Sequence, residues 1–216
     1  MIHETQPDLR RSGSAADLDP ARQTALPERP TRETAEDAVR TLIRYLGDDP
    51  SREGLIDTPS RVIRSYAEFF SGYDQDPETV LAPTFEEVGG YEEMVLVRDI
   101  EVSSHCEHHM VSFTGVAHVA YLPDQRVVGL SKLARLVDVF AKRLQIQEKL
   151  TAQVADTIER VLQPRGVAVV IEAVHNCMAT RGVRKPDAKT ITSRMTGELR
   201  SDPAARREFL AMVGLG

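Results

Sequence analysis

From Thr31 onward, apolar residues recur at helical spacing: Ala35, Val39, Leu42, Ile43 and Leu46, with Gly47 as a stop. Thr58-Pro59 opens a second helix, a capping residue followed by proline at the first helical position. Its apolar face is Val62, Ile63, Tyr66, Phe69 and Phe70, and Gly72 ends it. The pattern then changes to strand. Met94 to Ser103 and Val111 to Leu122 are rich in β-branched and aromatic residues, the latter with an expected bend at Gly115. A helix from Leu133 to Leu144, capped by Ser131, buries Leu133, Leu136, Val137 and Phe140; another runs from Gln147 to Leu162 and stops at Pro164-Arg165-Gly166. Strands at Val167 to Val174 and Thr190 to Met195 follow, and Asp202-Pro203 starts a last helix. Strands in adjacent pairs, separated by helices, predict an α+β fold with a largely antiparallel sheet. Residues 1–30, with Pro7, Pro20, Pro27, Pro30 and many charges, cannot bury enough surface to offset their ordering entropy and are expected to form a disordered tail. The folded domain is expected to span 31–216.

Composition narrows the function classes. The chain has 216 residues, is 41% hydrophobic and 28% charged, and carries a net charge of −6. That suits one hydrophobic core. No apolar run approaches the roughly 20 residues of a membrane helix, and the N-terminus lacks the apolar stretch of a secretory signal, so a cytoplasmic protein without membrane partners is expected. An acidic chain is a poor match for nucleic acid, and any anionic ligand calls for a local basic cluster. Two cysteines cannot build a disulfide-rich scaffold.

The candidate chemistry sits where the cysteines are. His105-Cys106-Glu107-His108-His109 falls between two predicted strands, and Cys106 and His109 form a C-x-x-H pair suited to one metal ion. His175-Asn176-Cys177 follows the Val167 strand; strand alternation would point His175 and Cys177 to one face. If these ends converge, Cys106, Cys177 and His109 meet with His108 and His175 close by. Three N/S ligands would leave an open position and favour catalysis, with a zinc-activated water near neutral pH and a free histidine to shuttle protons. A closed Cys₂His₂ site using His108 or His175 remains the structural alternative. His118, alone within a strand, is expected to be structural.

Four motifs carry a resemblance. Cys106-Glu107-His108-His109, Gly129-Leu130-Ser131-Lys132-Leu133-Ala134-Arg135, Gln145-Ile146-Gln147-Glu148-Lys149-Leu150, and His175-Asn176-Cys177 with Arg181-Gly182 occur in the order and spacing of GTP cyclohydrolase I, which the chain resembles from about Thr31 to Val213. The resemblance implies a tunnelling fold, an antiparallel sheet with packed helices that assembles into stacked rings, typically a homodecamer with active sites between subunits. It implies hydration of GTP at C8, opening of the imidazole ring, loss of formate, an Amadori rearrangement of the ribose and closure to 7,8-dihydroneopterin triphosphate. It also implies Cys106, His109 and Cys177 as ligands of Zn²⁺, and His108 and His175 as the proton-transfer pair. Glu148 would recognise guanine with Gln147 beside it, and Glu107 and Ser131 would also bind substrate. Arg61, Arg64, Lys132, Arg135 and Arg181 would hold the triphosphate; Arg64 stands where lysine also occurs. His105 departs from the family pattern, and it is expected to point away along the strand rather than compete for metal.

Other classes fit less well. A zinc nucleobase deaminase needs H-x-E with P-C-x-x-C, and both are missing from the sequence. A deazapurine nitrile reductase would lack the paired Cys106 and Cys177. A non-catalytic, metal-stabilised ring protein would unfold when its metal is removed.

Overall fold

A computed structural model of the chain describes residues 28–82, 84–85 and 90–216. Most of the expected N-terminal tail lies outside the described residues; within it, Arg29 pairs with Asp74 at 2.8 Å. Two helices come first, α1 (Arg32–Tyr45) and α2 (Thr58–Phe69), then a 3₁₀ turn (Ser71–Asp74) and the short α3 (Pro77–Leu81). Next are β1 (Thr84–Phe85), β2 (Val95–Cys106), β3 (Ser112–Leu122) and β4 (Val127–Val128), then α4 (Leu130–Ala141), β5 (Leu144–Gln145) and α5 (Gln147–Leu162). The chain finishes with β6 (Gly166–His175), α6 (Asn176–Ala179), β7 (Lys189–Met195), α7 (Gly197–Ser201) and α8 (Pro203–Met212). None of the described helices is long and apolar enough to cross a membrane.

The five-stranded sheet has the order β5-β2-β3-β6-β7. Its four long strands are antiparallel, and β5 lies parallel to the last residues of β2. Strand β6 alternates its side chains between two cores, which explains its unbroken apolar run. Val167, Val169 and Ile171 meet α4 and α5 through Leu133, Leu136, Phe140, Leu150 and Ile158. Ala168 and Val170 face the other way, toward Leu199, Phe209 and Val213 of the C-terminal helices and tail. This is the expected α+β architecture, with short β1, β4 and β5 and helix α7 that periodicity did not reveal.

Several local expectations need correction. Gly115 makes no bend: β3 pairs continuously through it, and a Cβ there would lie 1.9 Å from the Glu172 carbonyl oxygen. Glycine is required by close strand approach rather than by a turn. The irregularity lies in β2, between Val97 and Ile100, where Asp99 takes φ 59° and its N–H donates to His118 Nδ1 at 3.1 Å. Ser131 does not cap α4; Gly129 is the cap residue, and Ser131 lies inside the first turn. Helix α4 also starts and ends three residues earlier than its apolar pattern predicts. Gln163, in left-handed conformation, closes α5 before the proline.

The helix pair is joined to the body at few points. Gly72 sits so close to α4 that a Cβ would fall 2.1 Å from the Val139 carbonyl oxygen. Arg143 donates from Nε to the carbonyls of Gly72 (3.1 Å) and Val139 (3.0 Å), and from Nη2 to Gln75 (3.1 Å). The Leu144 N–H donates to the Tyr73 hydroxyl at 3.1 Å. Thus Gly72 does more than stop α2: it lets the chain dock against α4.

Candidate active site

Two antiparallel strand ends and one crossover build the site. The turn from β2 to β3 is closed by the Cys106 N–H donating to the Val111 carbonyl (2.9 Å) and the Met110 N–H donating to the Cys106 carbonyl (2.8 Å), with Met110 at φ 53°. Strand β5 buttresses it, the Glu107 N–H donating to the Gln145 carbonyl at 2.9 Å. Because β6 pairs antiparallel with β3, Phe113 faces His175, and the segment after β6 arrives beside the turn. Asn176 then ties the two pieces together, its Nδ2 donating to Ser112 Oγ at 3.0 Å. The strand-alternation argument for Cys177 does not hold, since the chain enters helical turn α6 at Asn176. Convergence comes from this turn and its clamp.

The result is a Cys106–His109–Cys177 group whose ligand atoms all lie within 4.8 Å of one another. Two thiols and an imidazole at that separation suit a soft or borderline divalent ion such as zinc. Cys106 is buried, Cys177 half-buried and His109 exposed, so the group is rooted in the core and opens outward. Burial pushes the Cys177 thiol up, and the neighbouring Cys106 sulfur adds to this, while Arg181 opposes it. A bound cation would remove that penalty by stabilising both thiolates. His108 Nδ1 is 3.6 Å from Cys106 Sγ, nearer than His109 Nδ1 at 3.9 Å, yet His108 is not part of the three-ligand group.

His175 stands next to this group. Its ring stacks on Phe113, centroids 4.5 Å apart and planes 12° from parallel, and its Nε2 lies 2.7 Å from Gln147 Oε1. Burial lowers its pKa from the ordinary value, partly offset by the Glu148 carboxylate. Glu148 itself is exposed at the start of α5. His105 points away from the cluster and packs between Phe69 and Phe70, with centroids 4.9 and 5.1 Å away.

The remaining candidates do not converge within the chain. Ser131, Lys132 and Arg135 lie in the first turns of α4, beyond the end of β3 that is distant from the metal turn. Helix α4 runs back toward β5, which pairs with His105 and Cys106. Arg61 and Arg64 are exposed on α2, the former paired with Asp57 at 3.1 Å. Gln147 is only 1% exposed, beneath the site rather than on its surface. Phe113 and Asn176 had no assigned role in the sequence reading; strand register against His175 is the signal that identifies Phe113.

The family model and the curated relatives agree with one another. The family model described as GTP cyclohydrolase I matches residues 35–214. The chain is 58% identical over 190 residues to GTP cyclohydrolase 1 of Brucella anthropi, covering 88% of this chain and 89% of that protein. The corresponding protein of Allorhizobium ampelinum is 60% identical over 185 residues (86% and 92% covered), and that of Maricaulis maris 54% over 189 (88% and 92%). A crystal structure of the archaeosine synthase QueF-Like in the apo form is similar to half of the chain, with a TM-score of 0.42 at 15% identity and 96% of that chain covered, too loosely to bear on the assignment. On the family match and the three near-full-length relatives, this chain belongs to the GTP cyclohydrolase I family.

Proposed function

We propose that the protein converts GTP and water into formate and 7,8-dihydroneopterin triphosphate, the first step of a pterin and tetrahydrofolate route, in the cytoplasm and with Zn²⁺ as its metal. The observation that carries this reading is the Cys106–His109–Cys177 group beside His175, in a chain of this family. Zinc held by these three side chains would supply Lewis acidity, bringing a water in its open position to a pKa of roughly 7.

The chain's own residues do the rest. His108 and His175 move protons: as water adds to C8, one imidazole protonates N7, and a proton delivered to N9 lets the C8–N9 bond break. Glu148 accepts from guanine N1–H and the exocyclic amine, a pairing that adenine does not offer, so a wrong base leaves the carboxylate unpaired. Arg181, whose charge is felt at Cys177, would meet the anionic end of a substrate bound over the metal group. Glu107, exposed on the metal turn, completes the rim.

Ser131, Lys132 and Arg135 belong to the same reading but to another copy of the chain. A 12-residue helix is about 18 Å long, and the C-terminal end of α4 is the end that leads to the metal turn. Its N-terminal basic residues therefore serve the triphosphate of a neighbouring subunit, with Arg61 and Arg64 as further basic residues of the assembly. The outer edge of β7, unpaired among the described residues, and the exposed apolar face of α1 and α2 support the tunnelling-fold homo-oligomer, a decamer of stacked rings. The catalytic unit is residues 31–216.

The decisive experiment incubates metal-replete protein with GTP and measures formate, fluorescent pterin after oxidation, and metal content together. Equimolar formate and pterin are expected, with about one zinc per chain. Ammonia without formate would point to deamination instead. Unfolding, rather than loss of turnover alone, on zinc removal would make the metal structural.

A further inference from the structure

Gln147 is fully enclosed, yet the reaction just described gives it no part. Its Nε2 lies 2.9 Å from the Ile171 carbonyl, 2.9 Å from the Thr190 carbonyl and 3.1 Å from Thr192 Oγ1. Carbonyl oxygens only accept, so the amide nitrogen must occupy this end and Oε1 must face His175. A hydroxyl chain fixes the same sense. The Thr151 hydroxyl donates to the Gln147 backbone carbonyl (2.8 Å), so the 2.6 Å contact between Thr151 and Thr192 uses the Thr192 proton. Thr192 Oγ1 is left with lone pairs for the amide.

An oxygen 2.7 Å from His175 Nε2 can only accept. We infer that Gln147 is a positioning residue: it holds the proton of His175 on Nε2 and so presents Nδ1 to the substrate. The stacked Phe113 ring fixes the imidazole plane, and Gln147 fixes which edge faces out. Nε2 carries a hydrogen in both the neutral and the protonated ring. The bond to Gln147 therefore survives both halves of a proton transfer at Nδ1, and the ring need not turn over between steps. Glutamate could not substitute, because its second oxygen would face the Ile171 and Thr190 carbonyls.

This inference rests on the proposed reaction, and its test separates the two. Gln147→Leu in the zinc-loaded enzyme is expected to lower kcat about 10²-fold, within the range of a general acid–base contribution, while KM for GTP and zinc content stay within about twofold. In a His175→Ala background, where turnover is already lost, adding Gln147→Leu should leave the equilibrium Kd for GTP within about twofold. A tenfold or larger rise in KM or Kd with kcat preserved would make Gln147 a substrate contact and overturn the inference. ¹⁵N NMR of histidine-labelled wild-type enzyme gives a readout that needs no variant to fold: the His175 proton is expected on Nε2, and finding it on Nδ1 would overturn the inference. Thr192→Val, which leaves both carbonyls in place, should change kcat by no more than about threefold. If His175→Ala itself turns over GTP normally, the reaction scheme fails rather than this assignment.

Discussion

The α1–α2 pair and the sheet body have equally regular apolar patterns but use them differently. In the body, Leu133, Leu136, Val137 and Phe140 of α4 are at most 4% exposed. In the pair, Ile43 is the buried residue of α1, while Leu42, Tyr45 and Leu46 are 59%, 85% and 79% exposed. Burial of apolar surface is the main source of stability, so the body is held by its own chain far more firmly than the pair is. An amphipathic pattern thus establishes that a face is apolar, not which surface covers it. For the pair, the contact with the body is a narrow joint around Gly72, Arg143 and the His105 stack. That is the behaviour expected of a segment whose apolar face meets another subunit.

The contrast is tested most severely in the body. Phe113 is fully buried and also stacks on His175. Phe113→Ala should cost about 3–5 kcal/mol of stability by cavity formation, read from denaturant unfolding, and should lower turnover because the ring loses its support. A cost under about 1 kcal/mol would mean that this end of the sheet collapses easily onto the gap. Next in size is the joint. Arg143→Met removes a donor from three backbone carbonyls, of which that of Gly72 keeps the Gln75 N–H (3.4 Å), and should cost about 1–3 kcal/mol. Hydrogen exchange should then show faster opening of α1 and α2 with the sheet unchanged; uniform loss of protection would show that the two regions unfold as one unit.

How much of this was legible in the sequence follows the same division. Long helices and strands declared themselves because each carries one apolar face or two, and α5 matches its expected span of Gln147 to Leu162. Strands β1, β4 and β5, at two residues each, carry no period to detect. In the site, Cys106, His109 and Cys177 were legible as chemistry, since few other residue sets suit a borderline metal. The means of bringing them together were not, because the turn at Asn176 and its bond to Ser112 depend on strand register. The environment of Gln147 was hidden for a related reason. Its position beside Glu148 suggests substrate contact, but helix phase turns it inward toward β6 and β7.

His118 offers a smaller effect within the body that depends on pH. It is 6% exposed, and burial lowers its pKa below the ordinary 6.5; Asp99 and Glu172 pull it upward and Arg98 adds to the lowering. The unfolded chain therefore takes up a proton first as pH falls. The contribution is complete above about 6.5 and is lost as pH drops from there through the folded value. His118→Asn, which keeps an acceptor for the Asp99 N–H, should flatten the fall of the unfolding midpoint between about pH 7.5 and 5. An unchanged slope would assign the pH dependence to other groups.

The smallest effect on chain stability is expected where the apolar residues are most exposed. Tyr45→Ser with Leu46→Ser removes two large side chains that the chain itself hardly covers. Exposed substitutions usually change stability by no more than about 0.5 kcal/mol each, so the unfolding of dissociated chains should barely move. Self-association should weaken instead, because the deleted surface is the surface proposed to meet another copy. Sedimentation over a range of concentrations reads both quantities, giving the size of the assembly and the concentration at which it dissociates. Smaller species from the double variant, with turnover falling alongside, would connect the exposed face to a site completed between chains. An assembly unchanged in size and dissociation would remove α1 from the interface and leave β7 as the edge that joins the subunits.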